Sequence, residues 1–210
     1  MLRRSIARLG SLIGFAVILA VAGCWDSGTD RIVPPGINAK AAGSAAMEQY
    51  DTNKDGKVAG GELDKAPSLK AAIDNLDTNG DGAVSAEEIT ARIEVWQDSR
   101  VGIFPIDCTV YYKGRPLPGA TVTLEPEKFL GDAVKTSTGV SDENGTVILS
   151  VELDPSNPNI PPGVHPGLYL VRITKDGMDI PAKYNIETIF GEEIAQGSRV
   201  MEEPMEFRMK

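Results

Sequence analysis

Apolar residues recur along this chain with two different periods, and the change between them falls near residue 100. Between residues 40 and 100 the spacing is helical. Leu69, Ala72, Ile73 and Leu76 form one stripe, and Ile89, Ile93 and Trp96 another. Ala46, Met47 and Tyr50 make a weaker stripe upstream, weakened by Gly43, a poor residue for a helix interior. From about Val101 the pattern alternates. Cys108, Val110 and Tyr112 share one strand face, as do Val122 with Leu124, and Val147, Leu149 and Val151 against Ile148, Ser150 and Glu152. Tyr169, Val171 and Ile173 follow, and Met205, Phe207 and Met209 close the chain against Glu206 and Arg208. Lys-Gly, Pro-Gly, Asn-Gly and Asp-Gly turn signals separate these runs. The pattern predicts a multidomain chain, helical and then all-β. Its second part is about seven short strands forming a β-sandwich.

Two polar stretches punctuate the helical part. The first is Asp51-Thr-Asn53-Lys-Asp55-Gly56-Lys57-Val58-Ala-Gly-Gly-Glu62, and the second Asp77-Thr-Asn79-Gly-Asp81-Gly82-Ala83-Val84-Ser85-Ala-Glu-Glu88. Both resemble the EF-hand loop D-x-[DN]-x-[DN]-G-x₅-E at every specified position. The spacing has a chemical reason. Ca²⁺ is a hard cation that takes six to eight oxygens. Positions 1, 3 and 5 turn side-chain oxygens inward, glycine at 6 permits the bend, position 7 offers a carbonyl, and Glu at 12 closes the shell with both oxygens. Site one is therefore expected to comprise Asp51, Asn53, Asp55, the Lys57 carbonyl and Glu62. Site two is expected to comprise Asp77, Asn79, Asp81, the Ala83 carbonyl and Glu88, with two ions bound in all. Val58 and Val84, at position 8, are expected to meet in a short strand pair. Ser85 and Glu88 have capping-box spacing. Only 14 residues separate Glu62 from Asp77, and Pro67 interrupts them, so the inner helices must be short. A dockerin, which joins modules through duplicated calcium loops, is a narrower rival. Its loops usually end in Asp and lack an entering helix, whereas these end in Glu62 and Glu88.

The N-terminus reads as an address. Residues 1–8 are basic, Leu9 to Gly23 carry no charge, and the stretch ends in Val21-Ala22-Gly23-Cys24. The uncharged run is shorter than the roughly 20 residues of a membrane-spanning helix and fits a secretory signal peptide. Its end resembles the lipobox of bacterial lipoproteins, which implies lipidation of Cys24 and removal of residues 1–23. The alternative is a plain signal peptide, or an uncleaved anchor, with Cys24 incidental. Residues 24–39, with Pro34-Pro35-Gly36, then read as a tether. The expected order is signal peptide 1–23, linker 24–39, calcium-binding pair 40–100 and β-domain 101–210.

Charge narrows the partners. Without Arg3, Arg4 and Arg8 the chain carries 18 basic residues against 30 acidic ones, a net −12. Nucleic acid is disfavoured by such a balance, and cations are favoured. The chain has two cysteines and one histidine, His165, which leaves little material for a zinc site or a nucleophile–base pair. Cys108 is expected as a buried free thiol and His165 as a loop residue. Lys183, Tyr184, Asp142 and Asp154 are expected to serve structure, and no enzyme is expected.

The second half carries a further likeness. Lys113-Gly-Arg-Pro-Leu-Pro-Gly-Ala-Thr-Val-Thr-Leu124, Gly139-Val-Ser-Asp142-Glu-Asn-Gly145-Thr-Val, Pro166-Gly167-Leu-Tyr169-Leu-Val171 and Ile180-Pro-Ala-Lys-Tyr184-Asn185 follow in order. They resemble the carboxypeptidase regulatory-like, or transthyretin-like, domain over roughly residues 105–210. The resemblance implies an Ig/transthyretin-like sandwich with no catalytic residues. The acidic stretch Thr188–Glu202, with Gly191 and Gly197, departs from that pattern and leaves the last strand pairing open. Together these features point to an exported, lipid-anchored, calcium-binding protein of the cell envelope, facing the periplasm or the surface, with a structural or adhesive part. The alternative is a calcium-stabilised module that binds a peptide, a glycan or another envelope protein.

Overall fold

A computed structural model describes residues 32–152 and 161–210, so the expected signal peptide, Cys24, most of the linker and Asp154 lie outside the described residues. The described residues belong to one compact unit. Asn38 opens the first helix, α1 (Ala39–Tyr50), by accepting the Ala41 N–H on its side chain at 3.1 Å, which satisfies one of the helix's free donors. The first acidic loop contains strand β1 (Lys57–Ala59). It is followed by a single 3-10 turn, Leu63–Lys65, and two short helices, α2 (Pro67–Ala71) and α3 (Ile73–Leu76). The second loop contains strand β2 (Ala83–Ser85), which runs into α4 (Ala86–Asp98).

Glu62 therefore does not sit on an exiting α-helix, as the loop pattern implies, but just ahead of one 3-10 turn. The cause is local. Gly60 and Gly61 precede it, and Ala66 is held at φ −117°, ψ 69° by the following Pro67, which then starts α2.

The sheet runs through β3 (Ile106–Tyr112), β4 (Arg115–Pro116), β5 (Ala120–Pro126), β6 (Ser137–Val140), β7 (Thr146–Val151), β8 (Gly167–Lys175), β9 (Gly191–Ile194) and β10 (Met205–Met209). Its order is β10-β3-β7-β6-β5-β8-β9, with β4 paired to the end of β3. The pairs are antiparallel except β10, which lies parallel to β3 with Phe207 opposite Val110. β7 gives Thr146–Leu149 to β3 and Ser150 and Val151 to β6, and the sheet curls there.

The expected alternation is present. Val147, Leu149 and Val151 are buried while Ile148 is exposed, and Met205, Phe207 and Met209 are buried between exposed Glu206 and Arg208. The acidic stretch Thr188–Glu202, whose pairing the sequence leaves open, contains β9, with Glu192 and Glu193 at its centre. Both are buried, and Arg199 grips Glu192 through both carboxylate oxygens at 2.6 and 2.8 Å.

The helical and sheet parts share one apolar core that extends from Ile37 to Met209. The α2 helix lies against β9 so closely that a Cβ on Gly191 would stand 2.2 Å from the Pro67 carbonyl carbon and the Ser68 nitrogen. Tyr50 packs edge-on against Phe129, and the core continues through Tyr184, Phe190 and Phe207. Among the described residues no helix is long and apolar enough to cross a membrane.

The other singled-out residues serve this framework. Burial pushes the Cys108 thiol up to about 12. A His165 ring nitrogen pairs with the Gly102 carbonyl at 2.8 Å, and Asp142 accepts the N–H groups of Asn144 and Thr146. The Lys183 ammonium lies over the ring of buried Tyr184, whose hydroxyl oxygen accepts the Lys210 N–H at 2.9 Å.

Candidate metal centre

In the first loop, Asp51 anchors the turn. Its Oδ1 accepts the N–H groups of Lys54 (2.6 Å) and Asp55 (3.2 Å), and its Oδ2 that of Gly56 (2.9 Å). Gly56 has φ 88°, a left-handed conformation that glycine adopts without strain. Asn53 accepts from the Asp55 N–H at 2.8 Å and Asp55 from the Lys57 N–H at 3.0 Å, so each inward oxygen braces the backbone two residues on. Glu62 then closes the loop from the far end. Its Oε1 accepts the N–H groups of Thr52 (2.8 Å) and Asn53 (3.1 Å), and its Oε2 that of Ala59 (3.4 Å). The Thr52 hydroxyl, joined by these N–H groups, holds the Glu62 carboxyl below the usual carboxylate range.

The second loop repeats the arrangement. Asp77 accepts the N–H groups of Gly80, Asp81 and Gly82 at 2.8, 3.0 and 2.7 Å. Asn79 accepts from Asp81 and Asp81 from Ala83. Glu88 Oε1 reaches back to the Thr78 N–H at 3.1 Å, while its Oε2 accepts the Ser85 N–H and hydroxyl, both at 2.9 Å. The Glu88 N–H donates to Ser85 Oγ at 3.3 Å, so the expected capping box is formed at the start of α4. Val58 and Val84, both fully buried, face each other across the β1–β2 pair and tie the two loops together.

The structure thus brings Asp51, Asn53, Asp55, Lys57 and Glu62 into one loop, and Asp77, Asn79, Asp81, Ala83 and Glu88 into the other. Each set is all oxygen: three carboxylates, one amide and one main-chain carbonyl. That donor chemistry fits a hard divalent cation, and no nitrogen or sulfur intrudes. Among the described residues no group of three or more His, Cys, Asp and Glu side chains is drawn close enough together to hold a metal ion. The loop's own N–H groups satisfy the carboxylates instead. A carboxylate oxygen has lone pairs to spare beyond such a bond, so the same braces that shape the loop leave it ligand capacity.

One contact was not foreseen. The Lys57 ammonium crosses from loop one to form an ion pair with Asp81 of loop two. The pair raises Lys57 above its ordinary value and lowers Asp81. It also places a positive charge on one of the carboxylates of the second loop. Lys57→Met keeps the carbonyl at position 7 and removes that charge. Affinity at the second loop is expected to rise roughly two- to fivefold at low salt, with the gain shrinking as salt screens the pair. Unchanged affinity in a calcium titration at low salt sinks this role for Lys57.

Two buried carboxylates also escaped the sequence reading. Glu127 follows β5, and burial raises it above the usual range, partly offset by hydrogen bonds from Ser68, Tyr50 and Gln49. Glu193 in β9 pairs with Arg92 of α4 at 2.6 Å. Acidic residues in turns and in an acidic run give no periodic signal, so only the packed structure identifies these two.

Among known families, the EF hand model matches residues 69–91, which run from α2 through the second loop into α4. No curated protein and no solved structure matches the chain. Residues 69–91 are therefore read as an EF hand, a calcium-binding motif.

Proposed function

We propose that this chain binds two Ca²⁺ ions, one in each loop, and that the ions hold its helical pair rigid at the cell envelope. The observation that carries the reading is the closure shared by both loops. In each, the twelfth residue, Glu62 or Glu88, folds back across ten positions onto the N–H of the second residue, Thr52 or Thr78. The last carboxylate of each loop is thus tied by a hydrogen bond to the loop's beginning, which supports its reading as the closing ligand. Bound calcium would supply a central double positive charge. Asp51, Asp55 and Glu62, or Asp77, Asp81 and Glu88, would hold it while Gly56 or Gly82 keeps the turn tight. The EF hand match at residues 69–91 supports the second site, and the repeated geometry extends the reading to the first.

Calcium that binds only the folded form stabilises it by linkage. Extracellular calcium modules bind at about 10⁻⁴–10⁻³ M, and a comparable affinity is expected here. Calorimetric titration of the chain with Ca²⁺ is expected to give two ions per molecule. A stoichiometry of one leaves a single site, which the EF hand match assigns to residues 77–88, and no binding at millimolar calcium removes the reading altogether.

The place of action rests on the sequence. The basic start, the uncharged run and Val21-Ala22-Gly23-Cys24 support export and a lipid anchor at Cys24. Cys24→Ala is expected to leave the precursor uncleaved and without lipid. Cleavage of the variant at the same bond, or lipid-free wild type in the soluble fraction, argues against the anchor. For residues 101–210, the ordered turn motifs and eight strands support a transthyretin-like sandwich. Its part is read as a structural or adhesive body and not a catalytic one.

A further inference from the structure

Glu127 and Glu193 hang from the sheet, and each one straddles a different loop. Glu127 accepts hydrogen bonds from Gln49 Nε2 at 3.1 Å and from the Tyr50 hydroxyl at 2.9 Å to both carboxylate oxygens. It also accepts one from the Ser68 hydroxyl. Tyr50 is the last residue of α1 and directly precedes Asp51, while Ser68 lies in α2, past the loop's end at Glu62. Glu193 accepts from Asn75 Nδ2 at 2.8 Å, two residues ahead of Asp77. Its other oxygen takes Arg92 Nε at 2.6 Å and Trp96 Nε1 at 2.9 Å, both on α4 beyond Glu88. One carboxylate thus spans the entering and exiting flanks of loop one, and the other those of loop two. They are 1% and 3% exposed, so neither clamp is a loose surface contact.

We propose that Glu127 and Glu193 are positioning residues for the calcium loops, Glu127 for the first and Glu193 for the second. The proposal rests on the calcium reading given above. In each loop the early ligands belong to the entering flank and the closing glutamate to the exiting one. Binding therefore requires the two flanks to hold one relative position. A carboxylate fixed in the sheet or at the end of one of its strands, and bonded to both flanks, sets that position before the ion arrives, so less ordering is left for binding to accomplish. A buried ion pair such as Glu193–Arg92 is weak grounds for stability taken alone, which leaves geometry as the stronger reason for its presence. Because coupling is reciprocal, calcium in a loop also tightens its clamp and is felt at the end of β5 and in β9.

The test is a calcium titration of the full chain followed by amide NMR, with the Gly56 and Gly82 signals as separate reporters of the two loops. Both N–H groups donate to the first aspartate of their own loop, at 2.9 and 2.7 Å. Glu127→Gln is expected to weaken binding reported at Gly56, and Glu193→Gln binding reported at Gly82, each by about two- to thirtyfold. The opposite loop should change much less in each case. Val147→Ala, a buried β7 substitution outside both clamps, controls for general loss of stability. Tyr50→Phe and Trp96→Phe each remove one donor and leave the carboxylate in place; they give the same loop-specific pattern in milder form, and they decide the matter if either Gln variant does not fold. Equal weakening of both loops, matched by Val147→Ala, overturns the proposal, as does unchanged affinity in the clamp variants. A wild-type chain that binds no calcium at either reporter overturns the calcium reading itself, a result distinct from both.

Discussion

Replacing both closing glutamates, as Glu62→Gln with Glu88→Gln, is expected to abolish calcium binding at millimolar concentration. Each glutamate is read as the ligand that gives the ion two oxygens. The amide keeps the shape but gives up the charge and one of the two acceptors. Each single variant is expected to lose tight binding at its own loop. It should also weaken the neighbour, because Val58 and Val84 pack against each other across β1–β2.

Binding should fail without failure of folding, at least in the second loop. Gln serves at the third helical position of a capping box as Glu does, so the bond to the Ser85 N–H survives in Glu88→Gln. In Glu62→Gln the amide oxygen can still accept the N–H groups of Thr52 and Asn53. The double variant is therefore expected to unfold cooperatively, with a melting temperature that no longer moves when calcium is added. Calorimetry reads the lost binding and thermal denaturation the lost linkage. If the double variant still titrates with two ions, calcium sits elsewhere and the assignment of both loops has to be dropped.

How legible these features were depended on whether the information was local. The Val58–Val84 pair and the Ser85–Glu88 cap are fixed by spacing within a dozen residues, and both lie where that spacing puts them. The alternating strands were legible for the same reason, since a period of two marks the buried face wherever it occurs. Features that depend on a distant partner were not. β9 can bury Glu193 because Asn75, Arg92 and Trp96 come from elsewhere to satisfy it. Nothing within the acidic stretch announces them. The parallel pairing of β10 with β3 joins segments nearly a hundred residues apart. The missing exiting helix after Glu62 lay between these cases. Pro67 signalled a short segment, but the 3-10 form of the turn was set by Gly60, Gly61 and the restraint on Ala66 together.

Gly43→Ala is expected to destabilise the chain, although intrinsic preference alone predicts the opposite. Alanine in the middle of a helix is favoured over glycine by about 1 kcal/mol, and Gly43 sits in the interior of α1. The structure supplies the opposing term. A Cβ at this position would lie 2.3 Å from the Ala86 carbonyl oxygen and 2.6 Å from Thr90 Oγ1. Thr90 is not free to withdraw, since its hydroxyl bonds the Ala86 carbonyl at 2.7 Å and reaches the Ala39 carbonyl at 3.3 Å. The helices α1 and α4 would have to separate. Ala86 opens α4 two residues before Glu88, so that movement carries the loop's closing glutamate with it. Overpacking of this kind costs about 1–3 kcal/mol, enough to outweigh the gain in helix preference. Urea unfolding without calcium should show a lower midpoint at an unchanged slope, which marks a change in stability and not in the extent of unfolding. Calcium affinity at the second loop should fall as well. A variant more stable than the wild type by the full alanine preference would mean that α1 and α4 do not approach as closely as the contact at Gly43 requires.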